Sequence, residues 1–323
     1  MAIKTNKAIK ISQKHLLGIQ DLSINDVNLI LDEAHSFIKV NQSKNKKVDV
    51  LKGKTQINLF FEPSTRTQSS FELAGKRLGA DVMSMNISNS AIKKGETLID
   101  TVNNILAMKV DMIVIRHPNP GAALLLSKNV DSCIVNAGDG TNEHPTQALL
   151  DAYSLKERLG DLDGRKILIV GDILHSRVAL SNIYALKLLN AKIKICSPLS
   201  LIPREIESLG LSIETNLDKA LSWCDAVNVL RVQHERMEKS YFPNDREYSL
   251  LYGLDKKRIN KLKKDILILH PGPINRGVEI KSDIVESNNS IILDQVENGV
   301  AVRMAIIYLL ASKMNISKSH ETV

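Results

Sequence analysis

Aromatic residues and cysteines are scarce in this chain of 323 residues. Phe, Tyr and Trp make up only 4% of it, so the rings on which single-stranded nucleic acids stack are poorly supplied. The three cysteines, Cys133, Cys196 and Cys224, are far apart, form no Cys-x-x-Cys pair and lie in apolar stretches. They predict buried thiols rather than a zinc site or a disulfide framework.

Long apolar runs are also lacking. No stretch approaches the roughly 18–20 apolar residues that span a bilayer, and the N-terminal residues carry lysines without a continuous apolar core, unlike a secretion signal. We therefore expect a cytoplasmic protein with no membrane contact. The net charge is +7, but its lysines are scattered, and the densest group, Lys44, Lys46 and Lys47, lies in an Asn/Ser-rich loop. The basic residues predict a solvated surface rather than a nucleic-acid partner.

Strand-like and helix-like patterns alternate, which is typical of an α/β protein with parallel sheets. Buried strands are expected at 56–61, 81–86, 111–116, 133–137, 166–172, 192–198, 226–231 and 265–270. Helices are expected at 69–79, 95–108, 145–159, 176–190, 202–209 and 217–222. A Gly/Asp-rich turn after the 145–159 helix indicates a boundary, so we predict two domains, 1–150 and 151–293.

A last, largely apolar helix is predicted at about 294–313, returning to the first domain. Its apolar character favours packing across the two halves over exposure. The predicted fold class is therefore α/β, with two doubly wound parallel-sheet domains and an interdomain cleft. Ligands in such folds bind beyond the carboxyl ends of the strands.

The first candidate site is the segment FFEPSTRTQSSFE, residues 60–72, where a strand ends and a helix is expected from about Ser69. Ser64, Thr65, Arg66 and Thr67 place three hydroxyls and a guanidinium at a helix N-terminus. Free N–H groups and the helix dipole favour an anion there. The alternative is that Ser64 or Thr65 only caps the helix, although capping does not require the arginine.

Three further segments of the first half carry polar candidates. Ser90, Lys93 and Lys94 lie in a turn before a helix, which by itself is also typical of a solvated loop. Arg116 ends a strand, where α/β ligands bind, whereas His117 has the alternative role of a turn residue. His144 precedes Pro145 at an expected helix start, where the dipole disfavours a charged imidazole and favours a neutral hydrogen-bond donor.

In the second half, Arg177 follows a strand at a helix start, and Arg231 and Gln233 end another strand before a long loop to about Gly253. The turn LHPGPINRG, residues 269–277, can present backbone carbonyls. The sequence has no GxGxxG motif and no convincing Ser-His-Asp or Cys-His arrangement. Cations and hydroxyls in both halves suit the binding of two anionic molecules, with no cofactor, metal or covalent intermediate required.

Taken in order, STRT, KKGETL, RHP, DGTNEHPTQALLD, RVQHER and HPGP resemble the catalytic chains of the aspartate carbamoyltransferases, within the aspartate/ornithine carbamoyltransferase superfamily. The similarity runs from about residue 15 to the final helix. KKGETL, RVQHER and HPGPINRGVE favour the aspartate over the ornithine branch. The chain departs at Gln68, where many relatives have arginine.

The resemblance implies transfer of a carbamoyl group from carbamoyl phosphate to L-aspartate, in pyrimidine biosynthesis. It implies that Ser64, Thr65, Arg66 and Thr67 bind the phosphate, that Thr67, Arg116 and His144 polarise the carbonyl oxygen, and that Gln147 and the carbonyls of Pro271 and Gly272 hold the carbamoyl nitrogen. Ser90 and Lys94 would come from a neighbouring subunit, which requires a homotrimer. Lys94, Arg177, Arg231 and Gln233 would bind the aspartate carboxylates. A regulatory chain or a dihydroorotase chain is a candidate partner of the trimer.

Two alternatives remain open from the sequence. The acceptor could be ornithine or another amino acid, although no carboxylate that would face an ornithine ammonium stands out in these motifs. The chain could also be a catalytically silent homologue, which would be expected to have lost the residues named above.

Overall fold

The structure is a computed structural model that describes residues 10–87, 96–237 and 241–317. The chain divides into two compact units. The first comprises the described residues up to Gly140 together with those from Gly299 onward, and the second is Thr141–Asn298. No helix in the described ranges is long and apolar enough to cross a membrane.

The first unit is built on a four-stranded parallel sheet. Its elements are α1 (Ile24–Gln42), β1 (Thr55–Phe60), α2 (Thr65–Arg77), β2 (Asp81–Asn86), α3 (Leu98–Leu106), β3 (Met112–His117), α4 (Ala122–Ser127) and β4 (Cys133–Asp139). The strand order is β2-β1-β3-β4, and every pairing is parallel. After β1 the chain forms β2 on one side of it and then crosses to form β3 on the other side. This change of direction opens a crevice at the carboxyl ends of β1 and β3.

Burial explains why these strands form. All residues from Gln56 to Phe60 are buried, as expected for a strand of a parallel sheet that is covered on both faces. Ile57, Leu59 and Ile113 pack with Ile105 of α3 in one apolar cluster, and each such side chain contributes roughly 1.5–3 kcal/mol by leaving water. The sheet is therefore a rigid support for the loops at its carboxyl edge.

The second unit is built on a five-stranded parallel sheet of order β7-β6-β5-β8-β9. Its elements are α5 (Pro145–Leu159), β5 (Lys166–Val170), α6 (Arg177–Leu188), β6 (Lys192–Cys196), β7 (Ser212–Glu214), α7 (Leu217–Trp223), β8 (Ala226–Val229), α8 (Asp245–Tyr252), α9 (Lys256–Ile259), β9 (Leu267–Leu269), α10 (Ser282–Val285) and the start of α11 (Ile292–Ser317). From Gly299 onward α11 belongs to the first unit.

The two faces of this sheet support two separate cores. Ile167 and Ile169 of β5 belong to one apolar cluster, whereas Leu168 and Val170 belong to the other, because successive side chains of a strand point to opposite faces. Helices therefore cover both faces, and the predicted class of two parallel-sheet α/β domains is confirmed. The buried thiols are confirmed too: all three cysteines are free and buried, and burial raises the pKa of each to about 12.

Four local expectations were wrong. The strand expected to be buried at 81–86 forms as β2, but none of its residues is buried. The helix after the first strand begins at Thr65 rather than near Ser69. The expected helix at 202–209 is replaced by short 3-10 turns, Leu199–Leu201 and Ile206–Leu209, with Glu205 at a φ of 61° that an α-helix does not contain. The long loop expected to reach Gly253 contains α8, which Asn244 caps through its side chain.

Candidate active site

The N-terminus of α2 follows β1 directly. Ser64 is the N-cap residue, with φ −161° and ψ 86°, and its side chain makes no capping hydrogen bond. Ser64 thus occupies the N-cap position, but capping of the helix by its side chain, the alternative interpretation, is not seen. Thr65 and Arg66 are exposed, whereas Thr67 is buried.

This helix end suits an anion. The first N–H groups of a helix have no acceptor within it, and the helix dipole leaves partial positive charge at this end. No acidic residue lies in the first turn of α2. The hydroxyls of Ser64–Thr67 and the Arg66 guanidinium add directed donors, so the segment has the chemistry of a phosphate site.

Arg116 lies next to this segment within the first unit. Its Cα pairs with that of Phe60 at the end of β1, and the Phe61 N–H donates to the Arg116 carbonyl oxygen at 2.9 Å. The Arg116 Nε lies 3.5 Å from Oε2 of Glu62, and its Nη1 donates to the Ala137 carbonyl at 3.4 Å. The structure thus places Arg116 beside the end of β1, the stretch that leads into the Ser64–Thr67 segment, with its side chain against Glu62 and the Ala137 carbonyl.

His117 stabilises the turn that follows β3. Its Nδ1 accepts a hydrogen bond of 3.0 Å from the Asn119 N–H, and burial lowers the pKa of the ring. Asp139, on the neighbouring strand, accepts from the Gly121 N–H at 2.8 Å. These contacts favour the turn-residue interpretation of His117.

His144 and Gln147 begin α5 in the second unit. His144 is the N-cap residue and Pro145 the first helical residue, as predicted. Both His144 and Gln147 are buried. The His144 N–H donates to Ser181 Oγ at 2.9 Å, and that hydroxyl donates to Glu143 Oε2 at 2.8 Å, which fixes the helix start against α6.

Asp151, one helical turn after Gln147, was missed by the sequence reasoning. The carboxylate is fully buried and accepts hydrogen bonds from four side-chain amides, those of Gln147, Asn182, Asn228 and Gln295. Burial raises the pKa of Asp151 to about 6, and the four hydrogen bonds oppose that rise. A charge inside an otherwise apolar helix pattern is the only signal the sequence offered.

The cations of the second unit lie at the carboxyl ends of adjacent strands. Arg177 is buried at the first position of α6, after β5, and Arg231 follows β8 by two residues. Val170 and Val229 pair in register at the ends of these strands. Arg231 donates from Nη1 to Gln233 Oε1 at 3.4 Å and forms an ion pair with Glu235.

Asp172 ties the loops after β5 and β8 together, and it too was missed. It accepts from the His175 N–H at 3.1 Å and lies 2.9 Å from His175 Nδ1. Its other oxygen accepts from the Gln233 N–H at 3.2 Å, and Arg236 donates to the His175 carbonyl at 2.9 Å. The signal in the sequence was a carboxylate directly after a buried strand.

The turn after β9 is fixed by His270, which is buried with Glu279. The Gly272 N–H donates to His270 Nδ1 at 2.8 Å, so Nδ1 carries no proton and Nε2 donates to Glu279 Oε1 at 3.2 Å. Gly272 has a φ of 62° and a cis peptide bond to Pro273. Pro271 and Gly272 are partly exposed in this turn.

The candidate residues thus form two groups, one in each unit. In the first unit, Ser64, Thr65, Arg66 and Thr67 are consecutive, and Arg116 lies beside the end of β1 that leads into them. In the second, Gln147 and the 270–272 turn share one hydrogen-bond network, and Asp172 joins the loops of Arg177 and Gln233. Ser90 and Lys94 lie outside the described residues.

Family models match both parts of the chain. The carbamoyl-phosphate-binding domain of aspartate/ornithine carbamoyltransferases matches residues 14–157, and the Asp/Orn-binding domain of the same family matches residues 163–310. The aspartate carbamoyltransferase catalytic subunit of Flavobacterium johnsoniae is 62% identical over 305 residues, which cover 94% of this chain and 99% of the relative.

Solved structures agree with these matches. The catalytic subunit of M. jannaschii aspartate transcarbamoylase has 36% identity and a TM-score of 0.81, covering 93% of this chain and 99% of its own. Ornithine carbamoyltransferase from Pyrococcus furiosus also has a TM-score of 0.81, at 28% identity, covering 94% and 98%. The fold alone therefore does not distinguish the two acceptors, but both domains, matched over nearly the whole length, show that this chain belongs to the aspartate/ornithine carbamoyltransferase family.

Proposed function

We propose that this chain transfers the carbamoyl group of carbamoyl phosphate to the amine of L-aspartate, giving N-carbamoyl-L-aspartate and phosphate in de novo pyrimidine biosynthesis. The observation that carries the proposal is the start of α2, where Ser64–Thr67 surround a helix end whose N-cap side chain does not cap it. The name of the Flavobacterium johnsoniae relative, 62% identical, supports aspartate as the acceptor.

Carbamoyl phosphate brings a phosphate and a carbonyl. Ser64, Thr65, Arg66 and Thr67 bind the phosphate through hydroxyl, guanidinium and backbone donors. This task needs an anion site without competing carboxylates, and the first turn of α2 has none. Ser90 reaches the same phosphate from a neighbouring subunit.

The chemical step is direct attack by the aspartate amine on the carbonyl carbon. The nitrogen lone pair forms the new C–N bond, negative charge collects on the carbonyl oxygen, and the C–O bond to phosphate then breaks. Thr67, Arg116 and His144 stabilise the oxygen, and each such donor contributes typically about 10²–10³ in rate. The departing phosphate takes the amine proton, so no side-chain base is needed.

The carbamoyl nitrogen donates its two hydrogens to oxygen acceptors, namely Gln147 Oε1 and the carbonyls of Pro271 and Gly272. Gln147 is supported in this role because its amide nitrogen is used elsewhere: Nε2 donates to Asp151 at 2.8 Å. The side-chain oxygen is therefore the end left for substrate.

Aspartate is recognised by its two carboxylates. Arg177, Arg231 and Gln233 supply donors from loops at the carboxyl ends of β5 and β8, and Lys94 adds a cation from the neighbouring subunit. Ornithine has one carboxylate and an ammonium group, and an ammonium would be repelled by this set of cations. The chemistry of the loops therefore favours a dianionic acceptor.

Residues shared between subunits require an assembly, and we place the chain in a cytoplasmic homotrimer with three shared sites. A regulatory chain or a dihydroorotase chain is a candidate partner of that trimer. The reaction itself needs no cofactor.

The test is a transfer assay on the purified chain with carbamoyl phosphate and either L-aspartate or L-ornithine, scored by the ureido product. We expect product with aspartate. With ornithine we expect on the order of 10³-fold less product or lower still, because ornithine lacks the second carboxylate that the site binds. Arg231→Ala serves as the matched control, because it should lower activity with aspartate selectively. Product with ornithine instead would show that the second unit has been assigned the wrong acceptor, and activity with neither would support the silent homologue.

A further inference from the structure

Asp151 is a buried carboxylate of the second unit that accepts four side-chain hydrogen bonds. Gln147 Nε2 donates to its Oδ1 at 2.8 Å, and Gln295 Nε2 donates to the same oxygen at 2.6 Å. Asn182 Nδ2 and Asn228 Nδ2 donate to Oδ2 at 2.9 and 3.2 Å. The residue is 0% exposed. Four amides from different parts of the chain thus converge on one charge.

The carboxylate decides which way each amide points. An ionised carboxylate only accepts hydrogen bonds, so the NH2 end of every one of these amides must face it. The oxygen of Gln147 is therefore turned away from Asp151. The oxygen of Gln295 accepts the His270 N–H at 2.9 Å, which fixes the residue that begins the 270–272 turn.

The Asp151 carboxylate consequently positions two sets of acceptors for the carbamoyl nitrogen, through two chains of hydrogen bonds that we call the two arms. The first arm is Gln147 itself, whose Oε1 is oriented by the bond from Nε2 to Asp151. The second arm runs from Asp151 through Gln295 to His270, whose Nδ1 in turn accepts the Gly272 N–H at 2.8 Å. Rotation of either amide would put an NH2 group where an oxygen is needed.

We propose that Asp151 is a positioning residue that selects carbamoyl phosphate by fixing both arms with oxygens toward the substrate NH2 group. It touches no substrate. This inference rests on the proposed function. It identifies Asp151 as the reason why the site prefers a carbamoyl group to an acyl group of the same shape.

The environment keeps this carboxylate charged at neutral pH. Its contacts on α5, α6, β8 and α11 are the four neutral amides described above, with no cation among them. Burial raises its pKa to about 6, and the hydrogen bonds hold the rise to that level. A group buried to this extent without its donors would be expected to stay protonated well above pH 6.

The experiment compares two ligands that differ only at the group read by the two arms. Acetyl phosphate has a methyl group in place of the carbamoyl NH2, and it keeps the carbonyl and the phosphate. The selectivity is the ratio of the acetyl phosphate Kd to the carbamoyl phosphate Kd. Both constants are measured by direct equilibrium binding, for wild type and Asp151→Leu. Leucine has a similar volume and offers no acceptor to any amide.

We expect the ratio to fall roughly 10- to 100-fold in Asp151→Leu, since two oriented hydrogen-bond arms are lost, while acetyl phosphate binding changes by less than about twofold. The matched control is Asp225→Leu. Asp225 is a partly buried carboxylate of the same unit that accepts from the Lys166 N–H and from Lys264 Nζ at the other end of the strands. Its loss should lower stability and leave the ratio unchanged.

Gln295→Met covers the case in which Asp151→Leu does not fold. It removes only the arm through His270, so a loss of about 3- to 10-fold in the ratio is expected, with Gln147 still oriented. An unchanged ratio in these variants, or an equal weakening of both ligands, would overturn the proposal. Because binding of either phosphate needs no acceptor amino acid, the ratio remains measurable if wild type fails to carbamoylate aspartate, which separates failure of this inference from failure of the proposed function.

Discussion

The Gln233 N–H donates a hydrogen bond of 3.2 Å to the Asp172 carboxylate. The two residues are far apart in the chain, one after β5 and the other after β8. Asp172 also holds His175, two residues before Arg177. One buried carboxylate therefore sets the distance between the loops that carry Arg177, Arg231 and Gln233.

Asp172→Asn should weaken aspartate binding without abolishing the chemistry. The asparagine keeps one acceptor and loses the other, so either His175 or Gln233 is released. We expect KM for aspartate to rise about tenfold, the value of one hydrogen bond to a charged group, with KM for carbamoyl phosphate within twofold. Steady-state kinetics with each substrate varied in turn provide the measurement. An equal rise in both KM values would contradict a role confined to these loops.

His144→Ala should lower turnover far more than it weakens phosphate binding, because the proposed contact of the ring is with the carbonyl oxygen. A loss of about 10²–10³ in kcat is expected. Inorganic phosphate, used as a competitive inhibitor, reports the phosphate site separately, and its inhibition constant should stay within about threefold. An unaltered turnover number would rule out the assignment of His144.

Sharing of residues between subunits can be tested by mixing two inactive variants. Arg66→Ala and Lys94→Ala chains should each be nearly inactive alone. If Lys94 acts in a neighbouring subunit, some sites in mixed trimers combine the intact Arg66 of one chain with the intact Lys94 of the other. Activity should then return to a fraction of that of wild type. Mass spectrometry of the assemblies confirms mixing. Mixed trimers without activity would show that Lys94 acts within its own chain.

Gly75→Ala should disturb the phosphate segment from within α2. A Cβ at Gly75 would lie 2.4 Å from Gln56 Oε1 and 2.7 Å from Val82 Cγ2, and Gln56 is held by bonds to Asn58 and to the Phe71 carbonyl. Overpacking costs about 1–3 kcal/mol. With two atoms this close and Gln56 held in place, we expect a cost in the upper part of that range, above the roughly 1 kcal/mol that alanine adds in helix propensity.

The result expected for Gly75→Ala is a lower midpoint of urea unfolding together with weaker phosphate inhibition, since the start of α2 shifts. Ser69→Ala, at an exposed position of the same helix, is the control and should show neither effect. A Gly75→Ala variant as stable as wild type would mean that Gln56 and Val82 move aside at little cost.

The sequence predicted the parts of this site that depend on short-range patterns. His144 and Pro145 were placed correctly at a helix start because a turn, a proline and an apolar helical pattern follow each other in the chain. Helix α1 was missed although its signal was present: Ser23 and Asp26 form a capping box. The strong helix and strand signals around it are apolar, whereas this segment mixes polar and apolar residues.

The hydrogen-bond networks could not be predicted in the same way. Gln295 and Asp151 are 144 residues apart, and no local pattern links a glutamine in a late helix to a carboxylate in an earlier one. The role of Asp172 likewise depends on the pairing of β5 with β8, which brings Gln233 to its carboxylate. Contacts of this kind depend on tertiary packing, which single-sequence patterns do not encode.

His15, in the segment before α1, should affect stability in acid. Its neighbour Leu16 forms a β-bridge to Val135 of β4, and the Ile134 N–H donates to His15 Nδ1 at 3.1 Å. Burial, and then the nearby Lys14, lowers the pKa of His15 from 6.5 to about 4. A neutral ring accepts this hydrogen bond, and a protonated ring cannot.

Between pH 6.5 and 4 the unfolded chain therefore binds more protons at His15 than the folded chain, so this residue makes stability fall as pH falls through that window. His15→Asn, whose Oδ1 can accept from Ile134 and does not titrate, should lose less stability on acidification. Because His15 is partly exposed, we expect only a modest difference, on the order of 2–4 °C in the Tm change between pH 7 and pH 5. Thermal melts of both proteins at the two pH values measure it, and the carboxylates common to both cancel in the comparison. Identical pH dependence would mean that the His15 ring is protonated without loss of its contact to Ile134.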